Sequence, residues 1–163
     1  MNIETRIYNY AIAAGLSPNV AKFFVAQTRH ETGNYKSRAF KIDNNPGGYK
    51  YVGQHNATQG ILSSEGDHYA HFATLKDGVD AMIDWLKRRE KEGKFVINNL
   101  TTPYSYATAL KKANYYGDTL ANYSIALQRQ VREIVNQKLI KQTTGYAAIL
   151  LVGLAAYLFI AKS

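Results

Sequence analysis

Glu31 is the residue whose type and position best fit acid–base chemistry. It lies at the carboxyl end of a predicted apolar helix, directly before Thr32 and Gly33, where the chain turns into a glycine-rich stretch. A carboxyl group at such an edge can be half-buried, and burial raises its pKa and keeps it protonated near neutral pH. A protonated carboxyl facing a cleft can donate a proton to the leaving oxygen of a glycosidic bond. By position alone, a solvated helix end is the more ordinary interpretation.

Four short motifs that follow one another along the chain favour the catalytic interpretation. They are ETGNY (31–35), NPGGYK (45–50), FATLKDGV (72–79) and ALKKANYYGD (109–118) followed by Asn122-Tyr123. In order and spacing they resemble the glucosaminidase domain of bacterial and phage cell-wall hydrolases. That domain is glycoside hydrolase family 73 of the lysozyme-like superfamily.

The resemblance implies a role for each matching residue, with peptidoglycan glycan strands as the substrate. Glu31 is expected to be the general acid, and Tyr115 is expected to belong to the catalytic group. Tyr123 is expected to line the cleft. A substrate-binding loop is expected to contain Asn45, Gly48, Tyr49 and Lys50.

The sequence departs from the family at the second acid. The family often has a glutamate on the first arm of a hairpin, where this chain has Thr58-Gln59, and a glutamine cannot act as a base. Glu65, in the predicted turn, is the preferred substitute. Without a second carboxylate in the cleft, no side chain would activate a water molecule as a base. A lytic transglycosylase mechanism, or a mechanism assisted by the acetamido group of the substrate, is then more natural than hydrolysis by a base-activated water. Either bond between N-acetylglucosamine and N-acetylmuramic acid remains possible.

Helices are expected to position these residues. Apolar periodicity and end signals predict helices over 3–14, 20–32, 75–92, 104–112 and 120–140, and hairpin arms over 57–62 and 68–72. In the helix over 75–92, Val79, Met82, Ile83 and Leu86 are predicted to face inward. The predicted fold class is mainly α (α+β, lysozyme-like) with a small β-hairpin lobe and one C-terminal transmembrane helix.

The segment 143–161 has no charged residue and, as a helix, is long enough at about 1.5 Å per residue to cross a hydrocarbon core of about 30 Å. We therefore predict a lysozyme-like domain over 1–138 and a lipid-embedded anchor over 139–163. No signal peptide is evident at the N-terminus. These features favour a single-pass protein of the internal membrane of a phage virion, with capsid or other virion proteins as partners, or of the bacterial inner membrane.

Composition limits the other functions. The net charge of +8 favours a polyanionic partner, and the absence of cysteine excludes disulfides and thiolate chemistry. The four histidines form no zinc-binding pattern, so neither a metal nor a cofactor is expected. A non-catalytic glycan binder or structural membrane protein on the same scaffold is the main alternative. A nucleic-acid binder ranks last, because the basic residues are scattered and predict no specific nucleic acid.

Overall fold

The fold consists mainly of helices that begin at side-chain caps. The computed structural model describes residues 1–135 of the 163-residue chain. The helices are α1 (Ile3–Ala13), α2 (Pro18–Glu31), α3 (Arg38–Asp43), α4 (Leu75–Lys91) and α5 (Pro103–Lys112), with a 3₁₀ turn at Ile97–Asn99 and a helix over 120–135. Thr74 and Thr102 each form a capping box that satisfies backbone N–H groups at a helix start. The predicted helices agree with these elements within a few residues.

A two-stranded antiparallel sheet forms the small β lobe. Strands β1 (Thr58–Leu62) and β2 (His68–His71) pair Thr58 with His71, and the register shifts between Gln59 and Leu62. The predicted hairpin is confirmed. Helix α3, which packs on this sheet, was not predicted, because six residues are too few to show a helical period.

The core lies among α1, α2, α4 and α5. Its largest fully buried side chains include Ile7, Phe24, Phe72, Met82 and Tyr106. The four residues of α4 predicted to face inward, Val79, Met82, Ile83 and Leu86, are all buried. The compact unit Met1–Val131 contains all of these elements except the end of the last helix.

The membrane part of the predicted fold class and localisation requires a correction. Among residues 1–135, no helix is long and apolar enough to cross a membrane. The longest named helix, α4, has 17 residues and ends in a basic turn, whereas a span needs about 20 apolar residues. The fold described here is therefore mostly helical with a two-stranded sheet, and it does not support a single-pass membrane protein. The predicted anchor at 143–161 lies outside the described residues.

Gly78 lets α4 approach the loop that leads into the site. A Cβ built on Gly78 would lie 2.1 Å from the carbonyl oxygen of Asn44 and 2.7 Å from Cδ of Pro46. We therefore expect Gly78→Ala to lower the free energy of unfolding by about 1–3 kcal/mol, because overpacking outweighs the gain in helix propensity. Urea denaturation would measure the change. Gly117→Ala is the matched control, because its Cβ would meet nothing within 4 Å. A Gly78→Ala variant as stable as the parent would contradict this account of the packing.

Candidate active site

Helix α2 carries Glu31 to the surface from the centre of the fold. It begins at Ser17, whose hydroxyl accepts from the backbone N–H of Val20, and has Pro18 in its first turn. Nine of its fourteen residues are buried, so tertiary packing fixes the helix on most of its sides. The position of its last residue is therefore set by the core.

The chain turns sharply just after Glu31. Thr32 donates its hydroxyl to the carbonyl of Thr28 at 2.6 Å and accepts from the backbone N–H of Tyr35 at 2.9 Å. Gly33, Asn34 and Tyr35 then have φ of +55°, +58° and +64°. This left-handed stretch ends the helix and leaves the carboxyl of Glu31 facing a cleft.

The carboxyl of Glu31 is partly buried and hydrogen-bonded. The Tyr123 hydroxyl donates to Oε1 of Glu31 at 2.8 Å. Burial raises the pKa of Glu31 above its ordinary value of 4.5, and the hydrogen bond from Tyr123 opposes part of that rise. Burial favours the neutral carboxyl because water no longer solvates the charge. The arrangement suits a group that donates a proton.

Two cavities meet at Glu31 and Gly48, and together they form what we call the Glu31 cleft. One has a volume of about 550 Å³ and the other about 310 Å³. The larger is lined by His30, Glu31, Gly47, Gly48, Tyr49, Lys50, Trp85, Asn114, Tyr115, Tyr116, Gly117, Asp118 and Tyr123. The smaller is lined by residues 37–39, 61–64 and Tyr69, in addition to Glu31 and Gly48. Glu31 therefore borders both cavities.

Asn45 shapes one wall of the cleft without lining it. Its buried amide donates to the carbonyls of Tyr49 at 2.8 Å and Ala70 at 2.9 Å, and it accepts from the N–H of Tyr49 at 3.0 Å. The loop turns at Gly48, where φ is +65°, a conformation that glycine adopts without strain. This amide ties the loop to strand β2 together with the backbone hydrogen bonds from Ala70 to Tyr49 and from Tyr51 to His68, both 2.8 Å.

The rings of Tyr49, Trp85 and Tyr115 line the larger cavity of the Glu31 cleft. The Tyr115 ring lies 5.0 Å from Trp85 and 6.4 Å from Tyr49, edge to face in both pairs. The hydroxyl oxygens of Tyr49 and Tyr115 are buried, and their nearest polar interaction is with each other, outside ordinary hydrogen-bond geometry. Burial is the main cause that raises the pKa of both phenols, so both stay neutral and can donate a hydrogen bond.

Tyr123 is held in place by its neighbours. Its ring stacks on Tyr116 with centroids 3.8 Å apart, and the edge of His30 contacts it at 5.3 Å. Lys111 donates to the carbonyls of Tyr116, Gly117 and Asp118, which fixes the loop that carries the stack. The hydroxyl that contacts Glu31 therefore sits on a rigid support.

The structure brings most of the predicted site residues together. Glu31, Gly48, Tyr49, Lys50, Tyr115 and Tyr123 line one cavity, and Asn45 supports it. Glu65 does not line either cavity of the Glu31 cleft: it lies in the β1–β2 turn, its side chain is 73% exposed, and it pairs with Lys50 at 2.9 Å.

Sequence reasoning did not assign several side chains of the cleft to the site, among them Trp85, His30 and Asp118. Trp85 lies off the predicted apolar stripe of α4, and an aromatic residue outside such a stripe is a usable signal. His30 and Asp118 gave no separate signal. Asp118 is held by Asn122, whose hydrogen bond is the first cause of its lowered pKa. Within residues 1–135, no three His, Asp or Glu side chains lie together as metal ligands would.

The raised pKa of Glu31 predicts how stability depends on pH. The Glu31 carboxyl binds its proton more tightly in the folded chain than in the unfolded chain. The free energy of unfolding therefore falls as pH rises from 4.5, the ordinary pKa, through the raised pKa of the folded chain. We expect Glu31→Gln, which mimics the protonated form, to raise Tm at about pH 7.5 and to change it little near pH 4. Thermal unfolding followed by circular dichroism at both pH values would measure this. Glu65→Gln is the control, since an exposed ion pair contributes little to stability. A lower Tm for Glu31→Gln at neutral pH would contradict the prediction.

Two solved structures share this fold. A peptidoglycan hydrolase from Sphingomonas sp. A1 superposes with a TM-score of 0.65 at 20% identity, covering 84% of this chain and 88% of its own. A chain of a type VI secretion system effector–immunity complex from Pseudomonas protegens gives a TM-score of 0.55 at 14% identity, covering 79% and 88%. The comparison with curated proteins gives no match.

The match to a family model covers more of the chain than any single motif. The model described as "Glucosaminidase: Mannosyl-glycoprotein endo-beta-N-acetylglucosaminidase" matches residues 8–148. This range contains Glu31, the loop at 45–50, helix α4 and Tyr123. The resemblance inferred from the motifs is thereby confirmed, and the chain belongs to the glucosaminidase family of glycoside hydrolases.

Proposed function

We propose that this protein cleaves the glycan strands of peptidoglycan and that Glu31 is its general acid. One observation carries the proposal: a carboxyl with a raised pKa lies where two cavities meet. A glycan strand that runs through both cavities would place a glycosidic bond beside it. General acid catalysis needs a proton donor at that bond.

The family and the structural neighbours support peptidoglycan as the substrate. The family description names endo-β-N-acetylglucosaminidase activity, and the Sphingomonas protein is a peptidoglycan hydrolase. The ring faces of Tyr49, Tyr115 and Trp85 suit the apolar faces of sugar rings. We therefore propose that the enzyme cuts the β-1,4 bond from the anomeric carbon of N-acetylglucosamine to N-acetylmuramic acid, which leaves N-acetylglucosamine at the new reducing end.

The second catalytic group is proposed to belong to the substrate. Glu65 lies outside the Glu31 cleft, and the carboxylate of Asp118 accepts hydrogen bonds from Thr119 and Asn122. The 2-acetamido group of the sugar can supply the nucleophile instead.

The proposed reaction has two steps. In the first, the acetamido oxygen bonds to the anomeric carbon while the glycosidic bond breaks, and the proton of Glu31 passes to the leaving oxygen. In the second, water attacks the anomeric carbon and opens the cyclic intermediate, and the water returns a proton to the Glu31 carboxylate. The products are two shorter strands, one with a new reducing end of unchanged configuration.

Loss of the proton donor should abolish cleavage. We expect Glu31→Gln to lower the clearing of purified peptidoglycan in a zymogram by at least about 100-fold, in line with general acid catalysis. Glu65→Gln is the matched control, because it removes an exposed carboxylate and should retain most activity. Equal clearing by the parent and Glu31→Gln would reject the assignment. No clearing by either would favour a non-catalytic glycan binder.

The ends of the products should identify the bond and the reaction. We expect mass spectrometry of the digest to find reducing N-acetylglucosamine ends, because water completes the reaction. Anhydro ends would instead show that a sugar hydroxyl replaces water, as in a lytic transglycosylase. Reducing N-acetylmuramic acid ends would show that the other bond is cut.

Tyr123 should tune the pH range of activity. Its hydrogen bond favours the Glu31 carboxylate, so Tyr123→Phe should raise the pKa of Glu31 further. We expect the alkaline limb of the kcat/KM profile to move up by about one pH unit, the equivalent of ~1.4 kcal/mol. Tyr116→Phe is the control, because its hydroxyl donates to the carbonyl of Ala107 and should not move that limb. A limb that stays in place in Tyr123→Phe would show that Glu31 does not set it.

A further inference from the structure

A third cavity adjoins the Glu31 cleft on the side of helix α4, and we call it the α4 pocket. Its volume is about 390 Å³. One wall is the loop 49–56 and the other is the face of α4 that contains Ala81, Asp84, Trp85 and Arg88, with Phe72 between them. These four α4 residues follow the helical pattern i, i+3, i+4, i+7, so they share one side of the helix. The α4 pocket is therefore built from elements of the described fold.

The α4 pocket continues the cleft. Tyr49, Lys50 and Trp85 line both the α4 pocket and the larger cavity beside Glu31. A ligand held by its sugar in the cleft could therefore place a substituent over these side chains and into the α4 pocket. The loop wall is braced for this by Gln54, which accepts from the N–H of Val52 at 2.8 Å and donates to the carbonyl of Lys50 at 3.1 Å.

The charges of the α4 pocket indicate what that substituent is. Asp84 and Arg88 lie one turn apart, and neither forms an ion pair or side-chain hydrogen bond within residues 1–135. Uncharged sugar units would leave both charges without a partner. A short peptide that carries a free carboxylate and a free ammonium group would pair with both. Ala81 and Trp85, both partly exposed in the α4 pocket, give such a peptide an apolar surface for small side chains.

We propose that the α4 pocket binds the stem peptide of peptidoglycan, with a stem carboxylate at Arg88 and the ammonium of its diamino acid at Asp84. The stem is attached to the lactyl group of N-acetylmuramic acid, so it leaves the glycan strand beside the cleft. This inference rests on the proposed cleavage of peptidoglycan. A peptide site in the α4 pocket makes the enzyme selective for glycan strands that still carry their stem peptides.

The test compares two substrates and two variants of equal charge change. Glycan strands with intact stem peptides and strands stripped of them by an amidase are digested by the parent, Arg88→Ala and Lys87→Ala. We expect Arg88→Ala to lower the ratio of kcat/KM for peptide-bearing over peptide-free strands about tenfold, a size typical of one charge-assisted contact. Lys87 neighbours Arg88 but does not line the α4 pocket, so Lys87→Ala should keep the parent ratio.

An unchanged ratio in Arg88→Ala would overturn the inference. If the ratio is unchanged because kcat/KM falls equally on both substrates, the α4 pocket would be assigned to sugar instead. A binding measurement separates this inference from the proposed function. Trp85 is the single tryptophan of the chain and lines the α4 pocket, so its fluorescence in Glu31→Gln can follow binding of the free tripeptide alanyl-γ-glutamyl-diaminopimelate. If the parent cuts neither substrate, the proposed function fails. Tripeptide binding that Arg88→Ala weakens would still support the peptide site, and no binding would overturn it.

Discussion

The hydrogen bond between Tyr123 and Glu31 joins residues that are 92 positions apart in the chain, and the site depends on it. It holds the last residue of α2 against the helix that begins at residue 120. It also sets two opposing effects on one carboxyl, because burial favours the proton and the phenol favours the charge. Both effects suit the proposed role of Glu31, in which the carboxyl gives up and regains a proton in each cycle. The Tyr116 stack and the Lys111 contacts serve to keep that phenol in place.

The proposed site divides its roles between a helix and a loop. Glu31, the proposed acid, sits on a helix that is buried on most sides, so the core fixes its position. Gly48, Tyr49 and Lys50, the proposed substrate-facing groups, lie on a loop that the Asn45 amide and backbone hydrogen bonds to β2 hold in place. Loops on a rigid scaffold commonly carry binding residues. In the proposed function, the helix therefore positions the acid and the loop sets which strands are bound.

The sequence predicted the elements with long periodic patterns well. Helix α4 and its inward stripe were predicted because 17 residues show several turns of a helical period, and the hairpin was predicted from its polar turn. Helix α3 was missed because one or two turns show no period. A membrane-spanning helix was predicted from an apolar segment, but no described helix supports it. An apolar segment indicates side chains that avoid water. Whether protein or lipid surrounds such side chains is decided by the fold and not by the local sequence.

The sequence by itself determined the family, and its short motifs indicated Glu31 as the proposed acid together with most of the residues that line the cavity beside it. Only the tertiary structure decided which of them meet. It placed Glu65 on the exposed turn beside Lys50 and brought Trp85 to the cleft wall, although no motif marked Trp85. The reason is physical: burial, pKa and hydrogen-bond partners arise between residues distant in the chain. Spacing along the sequence records none of these quantities.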